Sequence, residues 1–120
     1  MYDFDLQTGA IENRREFLTV SEGDGLPDGA TVDAEGFVWI AHMRGGKVKR
    51  YDPRGKEERE IKFPASLTSC PAFGGANLST LYVTTASSLF DAADFAREPD
   101  AGSLFAVETD VTGIPEPVFG

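Results

Sequence analysis

The sequence predicts an all-β fold of antiparallel strands, and two kinds of recurring segment carry this prediction. Three alternating apolar and polar segments, centred on Phe4, Tyr51 and Phe105, each end in a polar turn that closes on glycine. Such alternation is typical of strands with one buried face. Two further segments, 36–41 and 80–85, are rich in β-branched and aromatic residues and follow a turn, as strands commonly do.

The spacing of the repeats indicates a β-propeller. Phe4 and Tyr51 lie 47 positions apart, and Tyr51 and Phe105 lie 54 apart. The longer interval contains an insertion, 88–99, whose alanines and apolar spacing predict a short helix that ends before Pro99. Without it the period is roughly 40 to 45 residues, the length of a four-stranded blade. We therefore predict a partial β-propeller of about two and a half antiparallel blades. A small antiparallel sandwich of roughly eight to ten strands is the alternative.

The order of the elements also predicts which residues share one end of the blades. We expect two strands of a first blade over 1–20, a complete blade over 27–65, and a last blade over 67–120 that contains the insertion. The innermost strand of the complete blade runs from Asp28 to Val32, away from the central channel mouth, and the next strand returns to it. One end of the blades therefore holds Asp28, 42–46, 68–70 and 85–87, and the other holds the turns 33–36 and 52–55. Ligand sites on such scaffolds collect in the loops at one end.

Composition limits the partners and the compartment. The 120 residues include 20 acidic and 11 basic side chains, for a net charge of −9. This balance argues against binding to nucleic acid or to an anionic membrane surface. Cys70 is the single cysteine, so no disulfide forms within the chain. The sequence shows no secretory signal and no apolar run that spans a membrane. We expect a cytoplasmic protein.

Asp28 is the leading candidate for chemistry. It lies in the tripeptide Pro27-Asp28-Gly29, which is typical of turns. Its carboxylate is also a suitable ligand for a hard cation, but Ca²⁺ takes six to eight oxygen ligands. Nearby Asp24 and Glu22 do not have the spacing of a closed loop site.

His42 and the basic residues that follow it admit ordinary structural interpretations. His42 is the only histidine and follows a buried strand, which fits a packed ring as well as a ligand. With Cys70 as the only thiol, a His and Cys zinc site is not supported. The basic residues Lys47, Lys49 and Arg50 alternate with later acidic residues, and we expect them to form a solvated strand face.

Taken together, the ordered motifs resemble the senescence-marker-protein/gluconolactonase family of regucalcin-like sugar lactonases, over its carboxy-terminal part. The resemblance runs almost from end to end and is specific in order and spacing. The matching segments are Tyr2–Gly9, Asn13–Arg15, Pro27–Gly29, Asp33–Gly36, Val38–Ala41, Gly45–Val48, Tyr51–Gly55, Thr68–Cys70, Phe73–Gly75, Leu81–Thr84 and Pro99–Phe105.

The resemblance implies a six-bladed propeller of roughly 240 to 270 residues that hydrolyses a sugar lactone with a divalent ion, Ca²⁺ or Zn²⁺. It assigns Asp28 as a metal ligand and general base, and we expect His42, Arg44 and Ser69 to line the mouth and contact substrate. The family's other metal ligands, a Glu and an Asn, have no counterpart here, so we expect the isolated chain to be inactive. The alternatives are a non-catalytic calcium-binding or regulatory relative, and a fragment that associates through exposed strand edges.

Overall fold

A computed structural model describes residues 1–88 and 90–118, which form three antiparallel sheets. The first sheet pairs β1 (Asp3–Phe4) with β2 (Ile11–Glu12). The second contains β3 (Leu26–Val32), β4 (Val38–Met43), β5 (Lys47–Tyr51) and β6 (Glu57–Lys62), hydrogen-bonded in chain order. The third contains β7 (Thr68–Gly74), β8 (Thr80–Thr85) and β9 (Leu104–Glu108), also in chain order. The predicted all-β fold is confirmed.

The core lies between the second and third sheets, where β4 packs against β7 and apolar side chains of both sheets form one buried cluster. Trp39 and Ala41 of β4 and Leu81 and Val83 of β8 are fully buried. The Trp39 ring meets Phe73 of β7 edge to face, with the ring centroids 5.6 Å apart, a favoured geometry for aromatic pairs. This packing fixes β3 and β7, the first strands of their sheets, side by side.

The turns that close the first two aromatic strands have one physical basis, an aspartate that caps the turn with its own side chain. The Asp5 carboxylate accepts hydrogen bonds from the backbone N–H groups of Gln7 and Thr8. The Asp52 carboxylate accepts two in the same way, from Arg54 and Lys56. Such side-chain caps define turns locally, which is why these repeats are visible in the sequence.

The predicted insertion helix is present as α1 (Ala92–Arg97). Asp91 and Asp94 form a reciprocal capping box at its start, an arrangement that satisfies two backbone donors. The helix ends at Arg97, two residues before Pro99. Leu89, which falls within the predicted insertion, and residues 119–120 of the predicted last blade lie outside the described residues.

The segment that follows β9 ties the second and third sheets together. Gly113 bridges Asp33, and the N–H of Gly113 donates to the carbonyl of Leu78 at 2.8 Å. The N–H of Ala34 donates to Thr112 at 2.8 Å. Within the described part of the chain, no helix has the length and apolar character needed to cross a membrane.

The prediction of a solvated basic face on β5 is wrong. Lys49 and Arg50 are only 6% and 3% exposed. Carboxylates from distant positions surround both cations, so their charges are paired inside the sheet. Buried charges are tolerated where such partners are supplied.

Candidate functional site at the inner strand ends

Two adjoining β-bulges form the candidate site. The pairing of β3 with β4 shifts between Pro27 and Ala30, so Asp28 and Gly29 form a bulge. The pairing of β7 with β8 shifts in the same way between Thr68 and Cys70. Bulges bend a strand and redirect its side chains, and they are frequent beside active sites. Here both bulges occur near the start of the first strand of a sheet, at the same end of the molecule.

The two bulges touch each other, and this contact explains the glycine of the Pro-Asp-Gly tripeptide. A Cβ atom placed on Gly29 would lie 2.7 Å from the carbonyl oxygen of Ser69 and 2.6 Å from the Sγ atom of Cys70. These separations are too short for a side chain at position 29. Glycine therefore permits the close approach of the two inner strands.

Asp28 occupies the exposed side of this junction. It immediately precedes the glycine that contacts β7, so Asp28 lies beside the place where the first strands of the two sheets meet. The β3–β4 register pairs Pro27 with His42 and Leu26 with Met43. The predicted grouping of Asp28 with 42–46 and 68–70 at one end is therefore confirmed by the strand register, because β7 starts beside the same turn.

The Ser69 hydroxyl lies on the neighbouring bulge and is held by β8. It lies 3.1 Å from the carbonyl oxygen of Thr84 and 2.8 Å from the Thr84 hydroxyl. Ser69 is half-buried. Asp28 and Ser69 are thus brought onto adjoining strands, as the sequence predicted.

His42 is fully buried and does not face the exposed mouth. Its Nδ1 atom lies 3.0 Å from the carbonyl oxygen of Asp24, and its Nε2 atom lies 2.8 Å from the Tyr51 hydroxyl. Burial lowers the pKa of His42 below its ordinary value, so the ring is neutral near pH 7. A neutral ring in this setting donates from Nδ1 to Asp24 and accepts at Nε2 from Tyr51. This placement corrects the expectation of direct substrate contact, because both nitrogens are engaged inside the chain.

Asp24 anchors the loop that leads into β3, and sequence reasoning missed this role. Its carboxylate accepts hydrogen bonds from Lys47 at 2.6 Å and from Lys49 at 2.5 Å. Burial alone would raise the pKa of Asp24, but the two lysines outweigh it and lower the pKa to about 2. Asp24 is therefore ionised and forms a clamp with the two lysines, four residues before Asp28. Because the lysines bind its carboxylate, Asp24 does not serve as a second metal ligand beside Asp28.

The turn between β4 and β5 packs tightly on this clamp. A Cβ atom on Gly25 would lie 2.7 Å from the Met43 carbonyl oxygen, and one on Gly45 would lie 2.6 Å from the Asp24 carbonyl oxygen. Arg44, the first residue of the turn, has φ +68° and an exposed side chain. It lines an open cleft of about 380 Å³ together with the loop before β3. Arg44 is therefore available to a ligand at this end.

The opposite end of the second sheet holds a separate buried ion pair. The Asp33 carboxylate accepts hydrogen bonds from Trp39 Nε1 and Arg50 Nε, both at 2.8 Å. The Arg50 guanidinium also lies 3.8 Å from the centroid of the Phe37 ring. Because the donors and acceptors of Asp33 and Arg50 are occupied within the chain, this cluster is structural.

The described residues do not form a complete metal site. Across 1–88 and 90–118, no group of three His, Cys, Asp or Glu side chains is arranged to hold an ion. The Asp28 carboxylate suits a hard cation, but a single carboxylate falls far short of the coordination that Ca²⁺ requires. Any resident ion therefore needs ligands from outside these residues.

Two antiparallel sheets in chain order that pack with their first strands side by side have the arrangement of neighbouring blades in a β-propeller protein. A model of the SMP-30/gluconolactonase/LRE-like region matches residues 1–87. The chain belongs to this family.

Relatives and solved structures agree with that assignment. Regucalcin from Danio rerio is 44% identical over 117 residues, which cover 95% of this chain and 39% of the relative. Regucalcin from Homo sapiens is 42% identical over 107 residues, which cover 88% of this chain and 36% of the relative. The chain spans about two fifths of the length of these curated relatives.

The similarity in three dimensions is close. The structure of a calcium-binding protein, regucalcin, from Agrobacterium tumefaciens has a TM-score of 0.91 and 32% identity, and the match covers 99% of this chain and 41% of that one. A luciferin-regenerating enzyme has a TM-score of 0.82 and 32% identity, covering 94% of this chain and 38% of that one. The predicted family and propeller fold are confirmed, and the number of blades in the whole protein stays a prediction.

Proposed function

We propose that this chain forms part of a metal-dependent lactonase that hydrolyses a sugar lactone, with Asp28 as metal ligand and general base. The observation that carries the proposal is the exposed Asp28 carboxylate on a bulge that abuts the bulge of the next inner strand. Membership of the gluconolactonase family supports the same reaction. The isolated chain is expected to be inactive because it spans only part of its relatives.

The proposed reaction is the addition of water to the lactone carbonyl carbon. The Asp28 carboxylate accepts a proton from the attacking water, which is general-base catalysis. The bond between the carbonyl carbon and the ring oxygen then breaks, and the ring oxygen takes up a proton to become a hydroxyl group. Arg44 contacts the substrate from the β4–β5 turn, and Ser69 contacts it from the bulge of β7. His42 acts through its bond to Asp24, as a positioning residue.

The proposed cofactor is a divalent ion, Ca²⁺ or Zn²⁺. The described residues supply one carboxylate and no complete ligand set for it. The proposal requires further ligands from the part of the propeller that this chain does not span. The cytoplasmic location also stays a prediction.

A reconstitution experiment tests the proposal. The chain is combined with the separately expressed part of Danio rerio regucalcin that it does not match, and lactone hydrolysis is measured with added Ca²⁺ or Zn²⁺. A single polypeptide that joins the same two parts serves if the separate parts do not assemble. We expect hydrolysis by the combination and its loss, by at least about a hundredfold, in Asp28→Asn.

The matched control is Asp52→Asn, which changes an aspartate in a turn at the opposite end and leaves an amide that still caps that turn. It should keep normal turnover. Near-normal turnover by Asp28→Asn, or an equal loss in both variants, would show that the assigned role is wrong.

Association without catalysis is a second candidate, and exposed apolar residues favour it. Phe4 and Ile11 pair across β1 and β2, yet they are 60% and 62% exposed. A two-stranded sheet with an exposed apolar pair is an incomplete unit. Light scattering of the isolated chain distinguishes a monomer from a self-associated form, and a calcium titration tests a regulatory, non-catalytic role.

A further inference from the structure

The helical insertion has no role in the proposed reaction, yet it closes a groove at the same end of the molecule. This groove, which we call the basic groove, has a volume of about 560 Å³. Three segments form it: the β4–β5 turn, the connection from β6 to β7, and the end of α1. Its charged side chains are Arg44, Lys47, Lys62, Arg97 and Glu98.

Backbone hydrogen bonds fix the floor of the basic groove. The N–H of Gly46 donates to the Ser66 carbonyl at 3.0 Å, and the N–H of Phe63 donates to the Gly46 carbonyl at 2.8 Å. The Glu98 carboxylate accepts a hydrogen bond from the N–H of Ser66 at 2.6 Å. The insertion is thereby attached to the β6–β7 connection, and it brings Arg97 to the groove.

Four cations, Arg44, Lys47, Lys62 and Arg97, and one carboxylate, Glu98, line the basic groove in a chain whose net charge is −9. Lys47 is held by Asp24 and Glu60, which leaves the other three cations at the surface. The side chains of Lys62 and Arg97 are 79% and 69% exposed, and Arg44 is exposed on its turn. Lys62 lies 3.5 Å from Glu60, and Arg97 pairs with Asp94 on its own helix. Both pairs are exposed to solvent and are therefore weak. An incoming anion can replace them at little cost.

Arg44 gives independent support because its backbone conformation is unfavourable for an arginine. Its φ of +68° lies in the left-handed region, where glycine or asparagine is usual. Of the two glycines that follow it, Gly46 also has a positive φ, +60°, so the turn requires this conformation at two positions and carries a non-glycine residue at one of them. Strain of this kind is retained mainly where a side chain has a function.

We propose that the basic groove binds a small molecule through an anionic oxygen group, a phosphate or a carboxylate. Its volume is in the range of small-molecule sites, and arginine side chains bind both groups with paired hydrogen bonds. The insertion that interrupts the blade repeat supplies Arg97 and so completes the groove. Binding here requires neither Asp28 nor a metal, so the inference goes beyond the proposed reaction.

An NMR titration of the isolated chain tests this inference. Backbone amide signals are followed as inorganic phosphate, pyrophosphate or gluconate is added, near neutral pH and at constant ionic strength. We expect saturable shifts of the Gly45, Gly46 and Ser66 amides. Preference for the phosphates identifies a phosphate-bearing ligand, and preference for gluconate identifies a sugar acid.

Substitutions distinguish specific binding in the basic groove from non-specific attraction to surface charge. The double change of Arg44→Gln and Arg97→Gln should weaken binding at least about tenfold, and Arg97→Gln alone should weaken it measurably. Arg54→Gln is the matched control, because that side chain is 86% exposed and lies at the opposite end of the sheet. Absence of saturable shifts with all three probes, or equal weakening by Arg54→Gln, overturns the inference. Arg44 also contacts the substrate of the proposed lactonase, whereas Arg97 has no role in that reaction. Weakening by Arg97→Gln alone therefore distinguishes binding in the basic groove from binding at the lactone site.

Discussion

Replacing Asp24 with asparagine tests whether the lysine clamp stabilises the entry to the candidate site. Asparagine keeps the size of the side chain and the backbone carbonyl that His42 binds, and it removes the charge. The change weakens two charged hydrogen bonds, each commonly contributing about 1.5 to 3 kcal/mol. Lys47 retains Glu60 at 3.2 Å, and Lys49 retains Glu57 at 2.9 Å. Neither lysine is left without a partner, so we expect the free energy of unfolding to fall by about 2 kcal/mol.

The pKa of Asp24 adds a pH signature to the same prediction. The folded pKa of about 2 lies below the ordinary value of 3.8. A lowered carboxyl pKa contributes stability that is present above the unfolded pKa and is lost as pH falls through the folded pKa. The difference in unfolding free energy between the native chain and Asp24→Asn should therefore be constant above about pH 5 and shrink between about pH 4 and pH 2.

The assay is denaturant unfolding of the isolated chain over a pH series. Glu57→Gln is the control, because Glu57 binds the same Lys49 but its side chain is 47% exposed. An exposed partner of this kind contributes at most about 1 kcal/mol. Equal effects of the two substitutions, or a difference that does not change with pH, would refute the clamp.

Three further substitutions test other contacts of the site. Gly29→Ala should destabilise the chain by about 2 kcal/mol or more, because its Cβ would lie 2.7 Å from the Ser69 carbonyl oxygen; thermal unfolding measures this, and an unchanged midpoint contradicts the close approach. Tyr51→Phe leaves His42 Nε2 without its donor and should cost about 1 to 2 kcal/mol in denaturant unfolding, whereas Tyr82→Phe serves as a control. Arg50→Met should cost about 3 kcal/mol or more, because it leaves the buried Asp33 carboxylate without its cation; a loss below 1 kcal/mol shows that the pair is dispensable.

The sequence was sufficient for the repeated elements because their causes are local. Asp5 and Asp52 cap turns formed by their own neighbours, and Asp91 caps the helix within the same short segment. The apolar residues of β4 and β8 lie in the core, as expected for apolar strands of an antiparallel sheet. The turn caps and the helix cap depend on side chains a few positions apart, so a short sequence pattern predicts them.

The charged interior could not be predicted because its partners are distant in the chain. Lys49 meets Asp24, 25 positions away, and Arg50 meets Asp33, 17 positions away. Nothing in the alternation of Lys47, Lys49 and Arg50 identifies those carboxylates. The same holds for His42, whose burial depends on the loop before β3 folding over it. The residue type of His42 suggests a ligand, but its buried position makes it a residue that positions Asp24.

The candidate site belongs to the junction between two sheets and to neither sheet alone. Asp28 is carried by the bulge of β3, but that bulge fits only because Gly29 contacts the backbone of Ser69 on β7. The Thr68 hydroxyl reinforces the junction, since it donates to the carbonyls of His42 and Lys47, each at 3.0 Å. A substitution that loosens the packing of the two sheets should therefore displace the Asp28 carboxylate even where the substituted residue does not contact Asp28. The activity proposed for Asp28 should therefore depend on the docking of the two sheets as well as on the carboxylate itself.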